Sequence, residues 1–321
     1  MRWGERIGNK IAARMIIEMW EVAKNKLGYD IVEFLNKVNV KYFTYSGDPD
    51  IEKFEEEPVI YYKYGLGDLS IPEVIGALYP EESGATEQQV NMIYEILSGN
   101  MVNGRINLSF NGFMRELESG QRLDRGGGAI RGAIRRRLNG LRSRATHIIE
   151  WYNRNADPIT FGKIEPGFNV IQLYGLSEVE KKIVVNAVVR TISEGLTDKD
   201  KHLDRVVIVM DELNKYAPRK YSAVKEQLIE IVARGRDLKL SLIGAQQFAS
   251  EIDKQVYGNT STKILGVTDR SELKSEAYAY LGELKNQADK LDKGELIIYH
   301  PMYPAPILIR FPAPYSMLVG I

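Results

Sequence analysis

The 321-residue chain is 44% hydrophobic and 27% charged, which gives it enough apolar content to fill a core and excludes a disordered chain. Lysine plus arginine equals aspartate plus glutamate at 43 each, so there is no global basic charge, and a polyanionic partner has to be held by a local patch. Cysteine is absent, which excludes disulfides, thiolate metal sites and a thiol nucleophile and fits a cytoplasmic protein. No run reaches the roughly 20 apolar residues of a membrane span.

In chain order, Ile11, Met15, Ile16, Met19, Trp20 and Val22 recur at helical spacing up to Gly28, and a second short helix follows. The run 38–45 is rich in β-branched and aromatic residues and ends at Gly47-Asp48-Pro49, a strand and a turn. Residues 71–151 read as predominantly helical, with Pro72 at a first helical position and Ala85-Thr86-Glu87-Gln88 opening another helix. This stretch holds the one strongly basic segment, Arg122, Arg125, Arg131, Arg135, Arg136, Arg137, Arg142 and Arg144, around Gly126-Gly127-Gly128.

After Asp157-Pro158 strands and helices alternate. Strands are expected at 169–174, 205–210, 240–244, 262–267, 295–299 and 306–311, with helices at 178–194, 222–234, 250–256 and 271–281. Apolar strands alternating with helices signify an α/β fold, a mostly parallel sheet covered by helices on both faces.

Val206-Val207-Ile208-Val209-Met210-Asp211-Glu212 is the most informative run. A buried parallel strand here delivers two carboxylates to the carboxyl edge of the sheet, where open α/β sheets bind ligands. A strand ending in a polar turn is the competing reading. Downstream, a helix ending in Arg234-Gly235-Arg236 leads into Leu240-Ser241-Leu242-Ile243-Gly244-Ala245-Gln246-Gln247, then Ser250-Glu251-Ile252-Asp253.

This order resembles the HerA/FtsK class of ring-forming P-loop ATPases, and the likeness extends over about 38–314, densely from Asn169. It implies a RecA-like fold with three parts, 1–69 and 157–321 forming the core around a helical, arginine-rich insertion at 70–156. It also implies roles: Asp211 holds Mg2+ through water, Glu212 orients the attacking water, and Gln247 senses the γ-phosphate of ATP. Arg234 or Arg236 reaches the ATP of a neighbouring subunit, where a guanidinium stabilises charge on the transferring phosphoryl group. Lys263 stands where relatives often carry a basic residue near the nucleotide. A solvated helix end for the arginines, and an exposed strand lysine for Lys263, are the plainer readings.

The phosphate-binding loop of that class, Gly-x-x-x-x-Gly-Lys-Ser/Thr, does not occur in the sequence. Gly4-Glu5-Arg6-Ile7-Gly8-Asn9-Lys10-Ile11 imitates it, but with the wrong glycine spacing and with Ile11 in place of the magnesium-binding hydroxyl. Nothing corresponds to the small β-barrel that precedes the loop in HerA-like proteins. The expectation drawn from this is a chain that begins partway through a longer family member, with an in-frame phosphate loop encoded upstream of Met1.

The resemblance thus implies a homo-oligomeric ring, a hexamer, that translocates on double-stranded DNA in end processing beside a NurA-type nuclease. Arg131, Arg135, Arg136 and Arg137 would approach DNA phosphates, or else form a solvated face paired to nearby acids. A conjugation or type IV secretion motor and a catalytically silent ring or adaptor subunit are the alternatives. The three histidines, His147, His202 and His300, are scattered without ligand spacing.

Overall fold

The computed structural model describes residues 39–49, 51, 59–80, 85–119, 127–198, 203–220 and 223–310. The helices expected before Asn39, the imitation phosphate loop and Arg122 and Arg125 lie outside the described residues. The chain divides into two compact units, Asn39–Asn259 and a second containing residues 260–321.

In the first unit, strands β1 (Val40–Thr44) and β2 (Val59–Tyr61) pair in parallel with Tyr42 opposite Val59. The chain then leaves the sheet through helices α1 (Ile71–Leu78), α2 (Glu87–Ser98), α3 (Phe110–Ser119) and α4 (Gly128–Arg144). A two-strand hairpin, β3 (Met101–Val102) with β4 (Arg105–Ile106), interrupts them; its strands of two residues are too short for a periodicity signal. The chain returns as β5 (Phe168–Ile171), on the other side of β1 with Val40 opposite Phe168. The helical segment is therefore spliced between strands of one sheet.

Local chemistry sets the helix starts. Ser70 and Glu73, Thr86 and Gln89, and Ser177 and Glu180 form capping boxes at α1, α2 and the 20-residue α5 (Glu178–Thr197), each satisfying orphan amides at the helix entrance. Buried Glu180 also accepts a hydrogen bond from the His147 amide at 3.0 Å, tying the helical segment to α5. His147 Nδ1 lies 3.2 Å from the same carboxylate, a structural role for one of the scattered histidines.

Strands β6 (Val206–Met210) and β7 (Leu240–Gly244) form a parallel pair in full register, Val206 opposite Leu240 through Met210 opposite Gly244. Between them lie α6 (Leu213–Tyr216) and α7 (Ala223–Leu238). Val206, Ile208 and Leu242 face the core under α5 and α7, while the alternate side chains Val207, Val209 and Ile243 are exposed. Period-two alternation thus packs one face of the pair on the core. The short helix α8 (Lys254–Asn259) closes this unit.

In the second unit β8 (Lys263–Leu265), β9 (Glu295–Tyr299) and β10 (Ile307–Arg310) form an antiparallel sheet in the order β10-β9-β8. The mostly parallel arrangement expected holds for β1, β2, β5, β6 and β7, and the strands of this unit are antiparallel. A helix expected at 271–281 is instead α9 (Arg270–Leu273) followed by a 3-10 segment (Glu276–Asn286) that kinks at Gly282, where φ is 54°. Leu273, Tyr278, Leu281, Ala288, Leu291 and Ile297 are the buried apolar residues among the described residues of this unit.

Candidate functional site

The register of β6 and β7 makes both strands stop at the same level. Asp211-Glu212 leaves one strand where Ala245-Gln246-Gln247 leaves the other. The pairing continues past the strand ends, since Ala245 N donates to Met210 O at 2.9 Å and Leu213 N donates to Ala245 O at 3.0 Å. Gly244 leaves room for the Leu213 side chain at this point: a Cβ there would stand 2.3 Å from Leu213 Cδ2. Asp211, Glu212 and Gln247 are exposed, so the carboxylates and the amide face solvent at the carboxyl edge.

Glu212 has φ 51° and ψ 45°, the left-handed region, which is costly for a residue with a Cβ. The turn lets α6 start at Leu213 while the Glu212 amide donates to Asp211 Oδ1 at 2.9 Å. Such strain persists only where surrounding structure holds it, and the two backbone bonds to Ala245 do so.

Several residues that the motif reading passed over complete this edge. Lys215 Nζ is 2.6 Å from Glu212 Oε2, and that hydrogen bond raises the lysine pKa above its usual value. Asn214 Nδ2 donates to Glu251 Oε2 at 2.8 Å. Asp253 N donates to Ala217 O at 2.9 Å, and Lys225, buried, places Nζ 3.5 Å from Asp253 Oδ2. The segment Ser250-Glu251-Ile252-Asp253, singled out by its place after Gln247, thus clamps α6 and its following loop. At the amino end of α5, Glu178 is held below the usual carboxylate range by its hydrogen bond to Lys181. Tyr216 is pushed up to about 12 by burial, with Glu178, Glu212 and Asp211 adding to it. The acidic pair and the α5 amino terminus therefore share one electrostatic neighbourhood. The nearest available sequence signal was the i, i+3 spacing of Glu212 and Lys215.

Other candidates stand elsewhere. Arg234 and Arg236 are exposed in the last turns of α7, which precede β7. Gly235 brings that helix end against the start of the strand, since a Cβ would lie 2.3 Å from Leu240 O. They sit at the amino edge of the β6–β7 pair, a five-residue strand or about 16 Å from Gln247. Within one chain they do not join the acidic pair; Arg234 instead pairs with Glu230 at 3.0 Å. Lys263 belongs to the second unit, where its Nζ lies 5.8 Å and 5.6 Å from the ring centres of Tyr280 and Tyr299 and donates to Thr260 O at 2.8 Å. Burial lowers its pKa.

The basic helix α4 turns Ile134, Leu138 and Leu141 to the core. Its arginines are distributed around the rest of its circumference. Arg135 is 3.8 Å from Glu118, Arg137 stacks over Tyr79, and Arg142 stacks over Trp151. Arg136 is exposed, whereas Arg131 is half-buried with an Nε that has no partner.

A hard divalent cation needs several oxygen ligands. Among the described residues no group of three or more His, Cys, Asp or Glu side chains gathers to hold a metal. The exposed Asp211-Glu212 pair suits a cation that arrives with phosphate and water ligands of its own. No described helix is long and apolar enough to cross a membrane.

No protein-family model matches the sequence, and no curated protein matches it significantly. Solved structures do match in fold. VirB4 of Thermoanaerobacter pseudethanolicus superposes with a TM-score of 0.61 over 89% of this chain and 84% of its own, at 11% identity. The bacterial conjugative coupling protein TrwB gives 0.51 over 88% and 80%, at 9% identity. The genome-packaging NTPase B204 of Sulfolobus turreted icosahedral virus 2, bound to ATP-γ-S, gives 0.36 over 48% and 72%, at 15% identity. The fold is the RecA-like α/β fold of P-loop ATPases.

Proposed function

We propose that this chain is the core of a ring-forming, DNA-translocating ATPase of the HerA/FtsK class, and that its first-choice member type is the HerA-type motor acting on double-stranded DNA. The observation that carries the reading is the common end of β6 and β7, which sets Asp211-Glu212 beside the Gln246-Gln247 turn. In this reading ATP with Mg2+ supplies the phosphoryl group and the charge that polarises it. Asp211 would help hold Mg2+ through water, Glu212 would orient or activate the attacking water, and Gln247 would sense the terminal phosphate. Arg234 and Arg236, facing outward at the other edge, serve the site of an adjacent subunit in a homo-oligomeric ring.

The sequence holds no Gly-x-x-x-x-Gly-Lys-Ser/Thr run, so these residues supply the water-activating and sensing half of the site, and the phosphate cradle has to come from elsewhere. Arg136 and its neighbours on α4 are the proposed contacts to DNA phosphates, sequence-independent and weakened by salt. A second reading, a conjugation or type IV secretion motor, is supported by the likeness to VirB4 and TrwB over nearly nine-tenths of this chain.

The test is ATP hydrolysis with and without linear double-stranded DNA, on the protein as its gene encodes it. DNA is expected to stimulate hydrolysis, and Glu212→Gln to lower it at least about 100-fold while leaving nucleotide binding intact. Hydrolysis unaffected by Glu212→Gln would refute the assignment. DNA-independent hydrolysis would favour the secretion reading, and hydrolysis absent even with a phosphate-loop subunit supplied would leave the silent adaptor.

A further inference from the structure

The antiparallel sheet of the second unit carries apolar side chains on both faces. Register decides which residues share a face, because side chains directly opposite one another across neighbouring strands project the same way. Ile264, Ile298 and Ile307 stand in one row across β8, β9 and β10, and Leu296 opposite Ile309 makes a second row on that face. The opposite face, with Ile297 and Tyr299, is packed: Ile297 is 0% exposed, and the Tyr299 ring lies 5.3 Å from that of Tyr280 on the 3-10 segment. None of the five aliphatic side chains on the first face is buried, and Ile264 is 59% exposed.

An antiparallel sheet that turns one face to water alternates apolar with polar side chains along each strand. The outer face here has an aliphatic residue at all five positions, and contiguous apolar surface of this kind marks an interaction site. The chain that leaves the sheet has the matching chemistry. Strand β10 ends at Arg310, and the residues that follow, outside the described ones, are Phe311-Pro312-Ala313-Pro314-Tyr315-Ser316-Met317-Leu318-Val319-Gly320-Ile321. They include no Asp, Glu, Lys, Arg or His, where a chain that is 27% charged would place about three in such a run. Tyr315, Met317, Leu318, Val319 and Ile321 are large and apolar, so the run gains from any surface that takes it out of water. Pro312 and Pro314 lack the amide hydrogen that a continuing ladder needs, so the run is not a simple extension of β10. Residues 315–321 reach roughly 23 Å when extended, against about 13 Å for the four-residue β10.

We propose that the aliphatic face of β8, β9 and β10 is the docking site of the chain's own residues 315–321, which fold back over Ile309, Ile298 and Ile264 as the second covering layer of the sheet. Four residues, 311–314, join β10 to this segment, so loop closure costs little. A second copy of the chain on the same face would lose translational and rotational freedom as well, which favours the tethered segment.

The chain has no cysteine, so a thiol placed at Ile264 reports on this face alone. The rate at which Ile264→Cys reacts with a small thiol reagent is measured in the full chain, with Lys254→Cys, at an exposed position of the first unit, as the reference. The measurement is repeated with Met317→Asp and Val319→Asp added, and circular dichroism certifies the fold of each variant. The thiol at 264 is expected to react at least about tenfold more slowly than the reference, and to approach the reference rate once the two aspartates are present. Reaction at the reference rate in the chain without aspartates, or protection that the aspartates leave in place, overturns the proposal. Protection that fades on dilution assigns the face to a second copy and overturns it as well. Neither nucleotide nor DNA enters, so the outcome is independent of the ATPase reading.

Discussion

Arg190→Met is expected to be among the most damaging single substitutions that leave the carboxyl edge untouched. The Arg190 guanidinium binds Glu73 at 2.8 Å, and the Glu73 side chain is only 1% exposed against 23% for Arg190. Removing the arginine leaves a carboxylate that water cannot reach, with the Ser70 amide at 2.7 Å as its remaining hydrogen bond. Breaking a buried pair from one side costs about 3–5 kcal/mol, and the partial exposure of Arg190 puts this case near 3. For a chain of this length that is a fall of about 6 °C in melting temperature, taking roughly 2 °C per kcal/mol. Glu73→Gln in the same background removes the stranded charge while its amide oxygen still accepts from Ser70. The Arg190→Met/Glu73→Gln double variant is therefore expected to lose only about 1 kcal/mol, which is a coupling of about 2 kcal/mol or more. Urea and thermal unfolding of the four proteins measure it. A single Arg190→Met cost below about 1 kcal/mol, or simple additivity, would show that the pair is not the buried tie between α1 and α5 described above.

Two further outcomes follow from the geometry. Gly244→Ala sets a methyl group 2.3 Å from Leu213 Cδ2 and is expected to cost about 1–3 kcal/mol through overpacking. Adding Leu213→Ala should recover part of that loss, and denaturation midpoints that show no recovery would contradict the strand-end contact. Tyr216, with its hydroxyl pushed up to about 12 by burial and the nearby acids, stays protonated in the folded protein where an unfolded tyrosine ionises, near 10. Its contribution to stability is complete below pH 10 and is lost between about pH 10 and 12. Tyr216→Phe should flatten the alkaline limb of the stability profile in that window, and identical limbs would argue against an enclosed hydroxyl.

By itself the sequence determined the strands that matter most and their order. The run Val206–Met210 is short, wholly apolar and ends at Asp211, and Leu240–Gly244 is apolar but for Ser241, so their type and limits were legible from local pattern. Pro72 and the run Ala85-Thr86-Glu87-Gln88 announced helix starts in the same way. Asp211-Glu212 and Gln247 were legible as candidates because strand ends of parallel sheets gather ligands.

Only the tertiary structure decided which of these residues share a site. The register of β6 on β7, held by bonds running through Ala245, put the acidic pair and the glutamine turn side by side. The same strand, by its length, set Arg234 and Arg236 at the opposite edge. Lys215 on Glu212 has an i, i+3 spacing to suggest it, but Asn214 on Glu251 and Arg190 on Glu73 could not be read from spacing, since they join residues 37 and 117 positions apart. The antiparallel pairing of β8, β9 and β10 was equally hidden, since alternating apolar residues show that a strand has faces but not which way its neighbour runs. Local periodicity is a property of a few consecutive residues, whereas a site is a property of how elements pack, and packing free energy is summed over contacts distant in sequence.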